Sequence, residues 1–129
     1  MKVHHLAVVV TDLDAAEHFY AGLLGLPVIT RHTDAAGQPR ALWCGLDDGA
    51  FLALERAPID SPRRADAGPG WHCVALAIPL AERDAWRARV AAAGHPVERA
   101  SDYTLYLRDP DGNLVGLSHH PVPVGGAPA

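Results

Sequence analysis

Eight histidines and two cysteines carry most of the chemistry open to this 129-residue chain. They cluster at the ends of apolar runs: His4-His5 and His72-Cys73 each open one, and His119-His120 closes the last. An imidazole titrating near neutral pH can act as acid, base, hydrogen-bond donor or metal ligand. Side chains alternate along a strand, so His4 and His5 face opposite ways and only one can serve a given site. His4 and its counterpart His72 read as structural, His18 as solvated on the polar side of a helix, and His119-His120 as an exposed strand terminus. Cys73 reads as a small buried residue, because a catalytic thiol needs an activating base or dipole that its neighbours do not supply. His5 stays open between a site acid or base and a satisfied core histidine.

The elements that must position these residues repeat along the chain. His5-Leu6-Ala7-Val8-Val9-Val10 aligns with Cys73-Val74-Ala75-Leu76-Ala77-Ile78, and Gly25-Leu26-Pro27-Val28 with Gly94-His95-Pro96-Val97. Asp48-Gly49-Ala50-Phe51-Leu52-Ala53-Leu54 aligns with Asp111-Gly112-Asn113-Leu114-Val115-Gly116-Leu117. Three collinear matches indicate one β-α-β-β-β module used twice. In the first copy the pattern predicts strands over 3–10, 28–32, 40–45 and 50–55. Between the first two lies a helix capped by Thr11 or Asp12 and ended by Gly25 and Pro27. Leu13, Ala16, Phe19, Tyr20, Leu23 and Leu24 give that helix one apolar face. The second copy predicts strands over 72–78, 97–99, 104–108 and 114–119, with a helix over 81–93 that turns Trp86, Val90 and Ala93 to one side. Asp109-Pro110-Asp111-Gly112 fits a tight turn. The expected organisation is module one over 1–57, a linker over 58–70, module two over 71–120 and a flexible tail over 121–129. Each four-stranded module covers one sheet face with its helix, and two open faces can enclose a cavity.

Composition narrows the function. Apolar residues make up 49% of the chain, enough for a packed core. A net charge of −4, with ten arginines and one lysine scattered rather than clustered, argues against nucleic acid or an anionic membrane as partner. Two cysteines are too few for a disulfide scaffold, so a reducing, cytoplasmic setting is expected. A signal peptide is not expected, and no apolar run is long enough for a membrane helix.

His5 before Leu6-Ala7-Val8, Asp12-Leu13, Phe19-Tyr20, Leu23-Leu24-Gly25-Leu26 and Asp109-Pro110-Asp111-Gly112-Asn113 together resemble the vicinal oxygen chelate (glyoxalase/bleomycin-resistance/dioxygenase) superfamily over residues 3–120. The resemblance implies an α+β fold of two tandem βαβββ modules forming a curled mixed sheet around a shared cavity, and commonly a homodimer. It covers metal-dependent lyases, epimerases, dioxygenases and thiol transferases, and also metal-free proteins that sequester drugs. In its metal enzymes four strand positions carry the ligands, and the repeat maps them here onto His5, Ala53, Cys73 and Gly116. Ala53 and Gly116 offer no donor, so the usual chelate is broken.

Two expectations follow. The first is a small-molecule binder without the usual metal centre, for sequestration or for metal-independent chemistry assisted by His5. Its ligand would be partly aromatic, lined by Trp43, Phe51, Ala53, Cys73, Tyr103 and Gly116, because replacing charged ligands by Ala53 and Gly116 removes charge and frees volume. Trp71 and Tyr106 lie beside the same strands. The second is a lyase, isomerase or oxygenase with one divalent metal ion on a displaced set: His5, Glu55, Cys73 and His120. A purely structural or partner-binding module is the weaker third reading.

Overall fold

Alternation along the first apolar run produces β1 (His5–Val10), with Leu6, Val8 and Val10 more covered and His5, Ala7 and Val9 exposed. The computed structural model of the chain describes residues 1–58, 61–62 and 68–126. The chain divides into two compact units, Met1–Pro62 and Arg63–Ala129.

In the first unit Asp12 caps α1 (Leu13–Glu17), its Oδ1 accepting from the amides of Asp14 at 2.9 Å and Ala15 at 3.1 Å. The helix widens into a π-helical turn over His18–Leu23, a departure from the regular 3.6-residue pattern. The wider turn lets the adjacent Phe19 and Tyr20 both face inward, where they are 2% and 1% exposed. Gly25, at φ 80°, ends it. β2 (Val28–Thr33), β3 (Pro39–Gly45) and β4 (Phe51–Arg56) complete a sheet of order β1-β4-β3-β2, with β1 parallel to β4 and the other pairs antiparallel. Leu42, Cys44, Leu52 and Leu54 occupy the helix-side face and are buried.

The second unit repeats this order with β5 (Val74–Ala77), α2 (Arg83–Ala92), β6 (Arg99–Ala100), β7 (Thr104–Arg108) and β8 (Leu114–Ser118), in sheet order β5-β8-β7-β6. The registers verify the internal repeat, since Leu6 pairs Leu52 where Val74 pairs Val115, and Ala7 pairs Ala53 where Ala75 pairs Gly116. The architecture is α+β, two tandem βαβββ modules with mixed sheets. Asp109 organises the predicted turn: its Oδ1 accepts from the amides of Asp111 at 2.9 Å and Asn113 at 2.8 Å, with Gly112 at φ 84°.

Several boundaries depart from the sequence pattern. β5 begins at Val74, so His72 and Cys73 precede it, and β8 ends at Ser118, so His119 and His120 follow it. β6 is a two-residue strand shifted to Arg99–Ala100. Ala93 is exposed, whereas Val90 is buried. Part of the expected linker, 59–60 and 63–67, and the tail residues 127–129 lie outside the described residues. Residues 121–126 are tied back, with the Val122 amide donating to His119 O at 3.0 Å and the Val124 amide to Asp102 O at 2.8 Å. Among the described residues no helix is long and apolar enough to cross a membrane.

Candidate functional site

Register places His5, Ala7 and Val9 of β1 on one face with Phe51, Ala53 and Glu55 of β4 and with Ala41 and Trp43 of β3. This is the face opposite the buried leucines. Three of the expected site residues come together on it as an aromatic ladder. The Phe51 ring stacks on His5 with centroids 4.8 Å apart and 5° between planes, and on Trp43 at 4.3 Å and 18°. The ladder continues to His32 of β2, whose ring lies 4.6 Å from Trp43. Beside Phe51 and Trp43, Ala7, Ala53 and Ala41 form a floor of small side chains, and Ala53 is 2% exposed.

His4 does not turn away from His5. It precedes β1, where strand alternation no longer binds it, and its Nδ1 lies 2.8 Å from His5 Nδ1. At that separation one ring donates a hydrogen bond to the other, the direction set by the tautomers. The His4 ring also stands edge-on to Phe51 at 5.7 Å. His5 is thus an exposed imidazole fixed by a stacked phenyl ring and a second histidine, which suits a positioned acid or base better than a core residue.

Glu55 shares the face of Ala53 but points its carboxylate to Arg40, 3.6 Å away. In the second unit Cys73 is half-buried. His120 is exposed beyond β8, its ring tilted 5.0 Å from that of Tyr103. His5 and Glu55 therefore belong to the first unit, Cys73 and His120 to the second, and within either unit the described residues gather no three His, Cys, Asp or Glu side chains as a metal site would.

Gly116 corrects the expectation of freed volume. A Cβ there would lie 3.0 Å from Thr104 Cγ2 and 3.3 Å from Ala75 Cβ, so neighbours already fill the space that a ligating side chain would need. The metal positions of the family pattern do not fit a four-ligand centre here, because Ala53 and Gly116 bear no donor and a side chain at Gly116 would crowd Thr104 and Ala75.

His119 is another correction. It is 5% exposed, not a solvated terminus. Arg83 Nη1 donates to its Nε2 at 2.6 Å, so Nδ1 carries the proton and donates to Val122 O at 2.5 Å. Cys44 is buried on the helix side of β3, and burial pushes its thiol up to about 11, which leaves it chemically quiet.

His32 was not singled out from the sequence, although alternation along β2 and the β3 register place it beside Trp43. His32 Nε2 and Trp43 Nε1 are both buried without a hydrogen-bond partner among the described residues.

A sequence model of the Glyoxalase/Bleomycin resistance protein/Dioxygenase superfamily matches residues 2–117. A virulence protein of Salmonella typhimurium is 25% identical over 125 residues, covering 92% of this chain and 84% of that protein. The crystal structure of a lactoylglutathione lyase from Agrobacterium tumefaciens is similar at a TM-score of 0.62 and 26% identity, covering 92% of this chain and 93% of that one. A fosfomycin resistance protein from Listeria monocytogenes shares the fold at a TM-score of 0.72 and 18% identity, over 92% and 90% of the two chains. With the model matching most of its length and the same strand order in the sheet of each module, the chain belongs to the Glyoxalase/Bleomycin resistance protein/Dioxygenase superfamily.

Proposed function

We propose that this protein binds a small, partly aromatic organic molecule on the aromatic face of the first sheet, without the four-ligand metal centre of the family's metal enzymes. The stacked row His5–Phe51–Trp43 carries this reading. The stacked rings cover one another's faces, and beside a floor of alanines their edges offer a planar ligand edge-to-face contact and apolar area. His5, hydrogen-bonded to His4, supplies the acid, base or hydrogen bond for metal-independent chemistry or for capture. A cytoplasmic location and a homodimer belong to the same reading; fractionation and sedimentation check them.

The second reading is an enzyme with a divalent metal ion on His5, Glu55, Cys73 and His120. The 26% identity to a lactoylglutathione lyase favours it. One titration separates the two. Protein purified without an affinity tag or chelator is assayed for metal, then titrated with zinc, nickel, manganese and iron. Our proposal expects no stoichiometric uptake and no change on Glu55→Gln. Stoichiometric metal that is lost on His5→Ala and on Glu55→Gln establishes the second reading instead.

A further inference from the structure

The row of rings ends in two polar atoms that no described residue satisfies. His32 Nε2 and Trp43 Nε1 are buried and without hydrogen-bond partners, on rings 4.6 Å apart on the same sheet face. A buried ring nitrogen left unpaired is costly, and native proteins keep few of them without a reason. The local backbone is also irregular. The β2–β3 register shifts between Val28 and Thr30 and again between His32 and Thr33, bracketing His32. Such irregularities re-aim side chains, and they are over-represented beside functional sites.

We propose that Trp43 and His32 form a polar subsite that reads a hydroxyl group on the rim of a flat aromatic ligand. This deepens the proposed function and rests on it: the aromatic row holds the ring, and this subsite selects among rings. The hydroxyl follows from the donor inventory. Trp43 Nε1 can only donate, whereas His32 Nε2 donates or accepts according to its tautomer. A hydroxyl both donates and accepts, so it answers Trp43 and either tautomer of His32. A carbonyl answers Trp43 but only the protonated His32 nitrogen. A methyl group answers neither, and leaves both atoms as costly as before.

The matched probes are 2-naphthol and 2-methylnaphthalene, alike in shape and differing in the hydroxyl. Binding is followed by quenching of tryptophan fluorescence in the wild-type protein and by calorimetry in the variants. Wild-type protein is expected to hold 2-naphthol about tenfold more tightly, a difference of about 1.4 kcal/mol. Trp43→Phe and His32→Phe keep an aromatic ring and remove the polar atom. Each is expected to bring the ratio down toward one while 2-methylnaphthalene still binds. Equal binding of both probes by wild type overturns the subsite but leaves the aromatic face standing. An undiminished preference in both variants shows that the hydroxyl is read elsewhere, and overturns it too. If neither probe binds, the proposed function itself falls along with the subsite.

Discussion

Gly116 offers a single-residue test of the proposed metal-free reading. The resemblance maps a metal-ligand position there, which a glutamate could fill, and the absence of a side chain invites the idea of an opened ligand space. Packing has instead closed it, with the Thr104 methyl 3.0 Å and Ala75 Cβ 3.3 Å from where a Cβ would stand. Restoring the glutamate should therefore strain the protein without creating a site. Gly116→Glu is expected to cost about 1–3 kcal/mol, the usual range for overpacking a filled position. Adding Thr104→Ser removes the offending methyl and keeps the hydroxyl that donates to Ser118 Oγ at 2.9 Å. The double variant should recover part of the loss. Urea unfolding of the three proteins measures both steps, and a double variant no more stable than Gly116→Glu alone would remove the methyl as the cause.

At the scale of elements, the parts legible in the sequence were those fixed by local signals. Asp12, one of two expected caps, Gly25 as terminator and the Asp109 turn act within a few residues and are found where the pattern placed them, and the alternation of β1 holds from His5 onward, two residues later than expected. The repeat also carried the register, which put His5, Phe51 and Ala53 on one face. What the pattern missed depends on distant partners. His119 reads as a strand end until Arg83, 36 residues away, is seen to donate to it from α2. His32 gains meaning only through two register shifts between β2 and β3. The arginine also donates to Ser101 O at 2.8 Å, so one side chain joins α2, the turn before β7 and the segment after β8. Arg83→Met strands His119 Nε2 in a buried place and should cost about 2 kcal/mol. His119→Phe leaves one arm of a buried charged donor unsatisfied and should cost more, about 3 kcal/mol. Equilibrium urea unfolding ranks the two; a neutral result for both would mean that the junction contributes no stability.

Across the whole molecule, the two units carry separate reporters: Trp43 lies in the first, Trp71 and Trp86 in the second. Two carboxylates of the first unit make its response to acid predictable. Glu17 sits below its ordinary value chiefly because Arg31 donates to it, with Nη2 at 2.5 Å from Oε1, and this pair joins the first helix to β2. Asp34 is lowered first by the amide of Gln38 and then by Arg56, whose guanidinium is 2.9 Å away. A carboxyl group whose value is depressed on folding stabilises the folded state above its unfolded value. That contribution fades as pH falls from the ordinary carboxylate range, about 4, through the lower folded values. The first unit should then lose stability progressively below about pH 4.5. In a Trp71→Phe/Trp86→Phe background, Trp43 fluorescence follows that loss alone. Arg31→Met and Arg56→Met each remove a partner that holds a carboxylate ionised, so each should make the stability of the first unit fall less steeply with acid while lowering it at neutral pH. Both ion pairs are solvent-exposed, so the effect should shrink in high salt. A Trp43 acid profile identical in wild type and both variants would mean that these two carboxylates do not govern the acid response.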